Sequence, residues 1–409
     1  MRIHLVTNLF APDELAGASL YSDLARFLRE RGHDVRVTTT FSYYPAWRLR
    51  PEDQKISRRD ETWESIPVRR VSMYIPERPT GKGRLLSDFS FLLSLVRNGT
   101  FPEWTPDVVI SALPMLSQCL AQRFLYVGRG IPRLIVVQDF VVEAALELGI
   151  LKIPGAAPFL RGVQRWALRS ARTLSTISPQ MLVKLQAQVG KDRRTLFIPN
   201  WIHGSLQAEI DRQSQQPVER ESNRLFYSGN LGMKQGLPDF LDQFQATGGA
   251  GMDWRIQIHG GGAERERLAE ALVGRTGCAL GPVLEESDYI RALRSATACL
   301  VTQRPGVGAN FLPSKLLPAL ATGTPVLAVC ESNSPLGEEV RDGGFGEVVP
   351  PGDASRLASV LGTWRRDPAS LLKLGAHARI RAQRYAREAI LSQYEQELKK
   401  LVGSKSGAN

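Results

Sequence analysis

The stretch Asn310-Phe-Leu-Pro-Ser-Lys-Leu-Leu-Pro-Ala-Leu-Ala-Thr-Gly-Thr-Pro-Val-Leu-Ala328 decides how this chain is read. Its pattern predicts a loop broken by Pro313, a short helix, a tight turn at Gly323 and a strand over Val326–Ala328. A loop entering a helix offers free backbone N–H groups and the positive end of the helix dipole, which suits a phosphate. Ser314 stands at the expected N-cap, and Lys315 places a cation beside it. An earlier turn, Tyr227-Ser-Gly-Asn-Leu-Gly-Met-Lys-Gln-Gly236, has the same character. Gly229 and Gly232 open its backbone around Asn230, and Lys234 or Gln235 is within reach of a phosphate oxygen. Two such turns predict a cradle for a diphosphate.

Working outward, both turns lie in a chain of 409 residues, which calls for two domains of about 200 residues each. Short apolar strands alternate with helical patterns throughout, the signature of parallel sheets covered on both faces. In the first half, strands are expected at Ile3–Thr7, Val35–Thr39, Val108–Ser111, Leu134–Gln138, Leu174–Ile177 and Leu196–Ile198. The second half restarts at Arg224–Tyr227 and continues through Trp254–His259, Cys278–Leu280, Cys299–Thr302, Val326–Val329 and Glu347–Val349. The polar segment Glu209–Asn223 reads as the linker. The expected fold class is α/β, with two Rossmann-like, doubly wound domains at 1–200 and 201–385 facing a cleft. A final helix, 386–409, should return to brace the first domain.

Composition narrows the partners. Net charge is +11, and residues 1–200 hold 28 Lys and Arg against 18 Asp and Glu, while 201–409 hold 24 against 23. A basic first half beside a neutral second half calls for an anionic partner. No nucleic-acid recognition motif is present, so an anionic membrane face is the better candidate. Within Phe41–Arg84, Tyr43, Tyr44, Trp47, Trp63 and Tyr74 stand among ten Lys and Arg, a surface stretch suited to sugar stacking or interfacial anchoring. Arg161, Arg165, Arg169 and Arg172 recur at helical spacing beside Phe159, Val163 and Trp166, a second basic amphipathic segment. The longest apolar runs fall short of a bilayer span, and the four Cys lack CxxC spacing, as expected of reduced thiols in the cytoplasm. No metal-ligand spacing is readable, so neither a metal nor an organic cofactor is expected.

Three further constellations are candidates. Gly17, in Asp13-Glu-Leu-Ala-Gly-Ala18, joins the first strand to the first helix where a ligand can approach. Ile258-His-Gly-Gly-Gly262 ends a strand, with Gly260 and Gly261 suited to packing on a base or ribose; His259 reads either as part of that site or as a strand-end residue. Gln138 and Asp139, with Glu143 beyond them, end another strand, where an amide and a carboxylate can hold sugar hydroxyls or assist proton transfer. Asp139 serves equally well as a helix cap.

Taken in order, these pieces resemble the family-4, GT-B-type glycosyltransferases, nearest to the subgroup for colanic-acid and other exopolysaccharide assembly. The resemblance rests on Gly17, Arg31-Gly-His-Asp-Val35, Gln138-Asp139 with Glu143, Ile198-Pro-Asn-Trp201, Tyr227-Ser-Gly-Asn-Leu231, Leu312-Pro-Ser-Lys-Leu316 and Gly323-Thr-Pro-Val326. It implies retaining transfer of a hexose from a UDP- or GDP-sugar to an acceptor, here a lipid-linked oligosaccharide at the inner membrane face. The second domain would hold the donor, with Lys234 and Lys315 on the diphosphate and Ser314 with the backbone around Gly229 on its oxygens. Gln138 stands where many relatives have His near the donor sugar. Two family Glu positions are Asn310 and Pro318, and the usual Arg of the glycine turn is Asn230. An inactive subunit scaffolding a partner transferase and a nucleotide-sugar epimerase of the same architecture remain alternatives.

Overall fold

In the computed structural model, strands take the apolar runs and helices the amphipathic intervals between them. It describes every residue except 14–15, 44–46, 78–80, 114, 148–155, 249–252 and 407–409. The chain divides into two units, Met1–Asn200 with Glu388–Asn409, and Trp201–Arg387.

The first unit begins β1 (Arg2–Val6), α1 (Ala16–Glu30), β2 (Asp34–Thr40), β3 (Arg58–Trp63), β4 (Ile66–Val71) and α2 (Gly81–Asn98). It continues β5 (Val108–Ala112), α3 (Leu116–Phe124), β6 (Arg133–Val137), α4 (Val141–Glu147) and α5 (Ala156–Leu168). Then come β7 (Thr173–Thr176), α6 (Pro179–Val189) and β8 (Arg194–Phe197). These strands form one sheet in the order β3-β4-β2-β1-β5-β6-β7-β8. All pairs are parallel except β3 with β4. The central strands are buried on both faces, as in Val108–Ala112, which explains their unbroken apolar character.

The second unit runs α7 (Gly204–Ser214), β9 (Arg224–Ser228), α8 (Leu237–Ala246), β10 (Arg255–His259), α9 (Arg265–Leu272), β11 (Cys278–Gly281) and α10 (Glu286–Ser295). It continues β12 (Ala298–Thr302), α11 (Leu316–Thr322), β13 (Val326–Val329), α12 (Pro335–Gly343), β14 (Gly346–Val349), α13 (Ala354–Arg366) and α14 (Pro368–Ala382). Its parallel sheet has the order β11-β10-β9-β12-β13-β14. One apolar cluster gathers around Phe226, Val301, Leu316 and Phe345, and another around Tyr227, Phe240, Trp254 and Leu300. Neighbouring residues Phe226 and Tyr227 of one strand point to opposite clusters, as the pleat requires.

The last helix, α15 (Arg387–Ser406), packs in the first unit. Ile390, Leu391, Tyr394 and Leu398 are buried along one stripe. Glu395 on that helix meets His33 Nε2 at 3.0 Å and Arg31 at 3.3 Å, and Glu397 meets Arg194 at 2.7 Å.

Two stretches fold differently from their sequence reading. The expected linker Glu209–Asn223 begins inside α7, whose Leu206 and Ile210 are buried one turn apart. Its polar residues are engaged rather than free: buried Gln213 donates to the Ser287 carbonyl (2.8 Å), and on the outward face Arg212 pairs with Glu209. Within the basic stretch Phe41–Arg84, β3 and β4 form a hairpin. Asp60 and Glu61 pair with Arg69 (2.6 Å) and Arg70 (2.7 Å), whose side chains are almost fully buried. Tyr43 is buried too, Trp63 packs edge-on against Phe10, and Arg26 pairs with Glu64 at the turn. Tyr44 and Arg78 lie outside the described residues. Of the cations counted as a free patch, Arg58 and Arg69 pair with Asp60, Arg59 with Asp53 and Arg70 with Glu61.

Candidate active site

In the second sheet the strand order reverses between β9 and β12, so the loops leaving their C-terminal ends diverge. Such a switch point is where open α/β sheets bind ligands. Both lysines of the sequence reading belong to these two connections, Lys234 after β9 and Lys315 after β12. The connections are joined, since the Arg304 amide donates to the Lys234 carbonyl (2.8 Å).

The β9 loop lies backbone against backbone on the β10 loop. The Gly229 amide donates to His259 O (3.0 Å) and the Leu231 amide to Gly261 O (2.8 Å). A Cβ on Gly260 would stand 1.9 Å from the Gly229 carbonyl, and one on Gly262 would stand 2.5 Å from that of Leu231. Gly260 and Gly262 also have φ of 150° and 145°, so only glycine fits. Of the backbone expected to meet the diphosphate around Gly229, the Gly229 N–H itself is spent on His259. Gln235 likewise accepts the Gly232 amide on its Oε1 (3.1 Å), and Tyr227 donates its hydroxyl to Asn230 O (2.8 Å). A Cβ on Gly261 would make only ordinary contact, with a Val283 methyl at 3.6 Å.

Lys315 is the unusual group. Its Nζ sits 3.5 Å from the centroid of the Tyr227 ring, is buried, and has no hydrogen-bond partner. A Cβ on Gly229 would come within 3.4 Å of this amine, so the missing side chain there leaves room for it. Burial pulls the amine from its ordinary value down to about 7, a drop that the nearby Cys299 thiol only partly offsets. A buried cation lacking an anion is costly, and the ring face is a weak substitute for one. Lys234 lies on the neighbouring connection with its Nζ 5.1 Å from the Phe311 ring centroid.

Other expected residues take different roles. Ser314 is exposed and is not the helix cap: the N-cap of α11 falls one residue later, on Lys315, without a side-chain hydrogen bond. The Leu316 and Leu317 amides turn back to the Pro313 and Ser314 carbonyls at 3.2 and 3.1 Å. Asn310 is fully buried in a short turn of its own loop. His259 is a packing residue at its strand end: Nδ1 meets Pro282 O at 3.0 Å, and the ring lies against Phe226 and Gly281. Two residues passed over in the sequence bear on the site. Glu331 accepts the Gly306 amide (3.1 Å) and holds the β12 loop, and Gln303 keeps a buried Oε1 without a partner. Neither carries a sequence signal, because both matter only through a loop contact.

Comparison with known proteins follows the same division of the chain. Residues 17–201 match a glycosyl transferase 4-like domain, and residues 222–367 match glycosyl transferases group 1. WcaI of Escherichia coli K12, assigned as a colanic acid biosynthesis glycosyl transferase, is 29% identical over 82% of this chain and 84% of its own. The chain belongs to the family-4, GT-B glycosyltransferases.

Solved structures agree on the fold. A sucrose-phosphate synthase from Thermosynechococcus elongatus superposes with a TM-score of 0.75 at 18% identity, covering 99% of this chain and 100% of the other. WaaG, a glycosyltransferase involved in lipopolysaccharide biosynthesis, gives 0.64 at 15% identity over 97% and 99% of the two chains. HepE of Anabaena, solved in complex with UDP, gives 0.64 at 14% over 98% and 100%.

In the first unit of this glycosyltransferase, the candidate residues are closely engaged. Gln138 and Asn200 exchange amide hydrogen bonds, each 2.8 Å. Glu143 accepts from Gln164 (2.9 Å) and Gln188 (2.8 Å), tying α4 to α5 and α6. Asp139 is partly buried at the start of α4. Gly17 lies within α1, and a Cβ there would make only ordinary contact with Leu9 at 3.7 Å. The local fold therefore does not require glycine at position 17.

Proposed function

We propose that this glycosyltransferase moves a hexose, with retention, from a UDP- or GDP-sugar to a lipid-linked glycan in exopolysaccharide synthesis. One observation carries the reading: the Lys315 amine is buried without a partner at the sheet's switch point, beside a glycine loop and one connection away from Lys234. A donor diphosphate supplies the anion that this cation lacks. Two ammonium groups then stabilise the charge that develops on the leaving phosphate, which is electrostatic catalysis without an enzyme nucleophile. The leaving diphosphate takes the acceptor proton on the same face. Ser314, exposed next to Lys315, would add a further hydrogen bond to it. Among the described residues no cluster of His, Cys, Asp or Glu is arranged to hold a metal, and the proposed step uses none.

The likeness to WcaI supports the pathway, and the basic first half supports a membrane-borne acceptor. Purified protein is incubated with a panel of UDP- and GDP-sugars and a polyprenyl-diphosphate-linked acceptor, and released nucleotide and product mass are followed. Growth of the acceptor with nucleotide release supports transfer. Saturable nucleotide binding without turnover would instead support the scaffold reading, which Asn310 and Pro318 at the family Glu positions favour.

A further inference from the structure

Helix α2 is apolar on two faces. Gly83, Ser87, Phe91 and Leu95, spaced four apart, face the first unit's interior. Leu86, Phe89, Leu93 and Val96 repeat at intervals of three and four on the other side, where they are 44–58% exposed. A helix on a protein surface should turn polar residues outward, so this second stripe calls for an occupant. It does not stand alone. α3 packs against both α2 and α5, and its end exposes Phe124 and Val127. α5 in turn exposes Phe159 and Trp166.

The charges around these side chains have one sign. On α2 the exposed polar positions are Lys82, Arg84 and Arg97; on and just after α5 they are Arg161, Arg165, Arg169 and Arg172. No exposed position of either helix carries Asp or Glu among the described residues. The one carboxylate of α2, Asp88, turns inward and accepts the Leu116 and Ser117 amides at 3.2 and 2.9 Å. Arg123 fastens the patch together, with its guanidinium 4.6 Å from the Trp166 ring centroid and bonded to the Trp166 carbonyl. Unlike the paired cations of the β3–β4 hairpin, these have no carboxylate partner among the described residues.

We propose that the outward faces of α2 and α5 form one docking surface for an anionic lipid bilayer, with the apolar stripe in the headgroup–acyl boundary and the cations on the headgroups. No helix of the described residues is long and apolar enough to cross a membrane, so α2 lies in the interfacial plane. A second copy of this chain fits poorly. A two-fold contact would press the cationic rim of one molecule on that of its mate, with no carboxylate between them. Anionic headgroups supply the missing counter-charge. The surface rests on the proposed membrane-borne acceptor for its purpose, and on α2 and α5 alone for its existence.

Flotation of the full chain with phosphatidylglycerol–phosphatidylethanolamine vesicles, against phosphatidylcholine vesicles, tests it. The protein should float with the anionic vesicles and weaken at high salt. Phe89→Glu with Leu93→Glu should cut binding at least tenfold, and Arg161→Glu with Arg165→Glu comparably, at about fivefold per cation. All four positions are exposed, so melting temperature and nucleotide affinity should not move, nor should turnover with a water-soluble acceptor. Equal flotation of the variants, or none by the wild type, overturns the proposal. So does a dimer that the same substitutions dissociate. Failure of sugar transfer with vesicle binding intact would overturn the functional reading and leave this surface standing.

Discussion

Raising the pH from 7 to 9 should weaken nucleotide-sugar binding about fiftyfold, because the site takes up a proton when it fills. In the free protein burial holds the Lys315 amine at about 7, with no acceptor on its Nζ. Its titratable neighbour, the Cys299 thiol, is itself pushed up by burial to about 12 and stays neutral over this range. The Tyr227 hydroxyl is raised further still by burial, and it donates to Asn230 O. A diphosphate oxygen beside the amine restores the stabilisation that burial removed and returns the ammonium toward its ordinary 10.5. Between those two values the complex holds one more proton than the free protein. Affinity is therefore highest below pH 7 and is lost as pH rises. The slope is about half of 1.4 kcal/mol per unit at pH 7 and approaches the full 1.4 above pH 8, which gives about 2.3 kcal/mol between pH 7 and 9. Calorimetry at pH 8 in two buffers of different ionisation enthalpy should detect about 0.9 proton taken up per ligand. A nucleotide-sugar is the right probe, since its doubly esterified diphosphate does not titrate in this range. Lys315→Met should bind weakly and without pH dependence. A flat profile from pH 7 to 9 with no proton uptake would refute the reasoning.

Other substitutions separate structure from chemistry. Gly260→Ala should cost about 2–4 kcal/mol by thermal or urea unfolding, because its Cβ would meet the Gly229 carbonyl at 1.9 Å in a backbone region closed to alanine. Gly17→Ala should fold with unchanged stability, given ordinary contact at 3.7 Å, so any loss of activity would report ligand approach at α1. Glu143→Ala should lower stability by about 1–3 kcal/mol, since it strands the Gln164 and Gln188 amides; lost turnover at full stability would return it to the acceptor site. Burial raises the Glu395 carboxyl, but hydrogen bonds from Lys399 and His33, with the charges of Lys399 and Arg31, outweigh it and hold it at about 2. The stabilisation it contributes is complete above its unfolded value near 4.5 and is lost as pH falls toward 2. Unfolding measured from pH 6 to 2 should show about 2–3 kcal/mol of acid sensitivity that Glu395→Gln lacks.

The parallel strands were legible because a strand buried on both faces must be apolar throughout, as Val108–Ala112 and Ala298–Thr302 are. The β3–β4 hairpin was not. Its charges pair across strands rather than facing water, and its turn uses Glu64 and Ser65 at positive φ where Asn-Gly is the usual signal. Linker and helix look alike in Glu209–Asn223, since an exposed helix face is as polar as a loop. The two lysine-bearing turns were readable as motifs, but the burial of Lys315 was not. It depends on Tyr227 and Gly229, which are distant in sequence and brought near only by the pairing of β9 with β12. For the same reason the Gly229 amide looked free until β10 was placed beside it. The second apolar stripe of α2 was hidden as well, because sequence alone does not say which of two apolar faces is inside.

The most direct test is a crystal structure with a nucleoside diphosphate bound. The account predicts the diphosphate at the β9–β12 switch point, with Lys315 Nζ moved off the Tyr227 ring to within about 3 Å of one phosphate oxygen and Lys234 approaching another. A nucleotide bound elsewhere, or bound there with the Lys315 amine still resting on the ring and touching no phosphate, would contradict it.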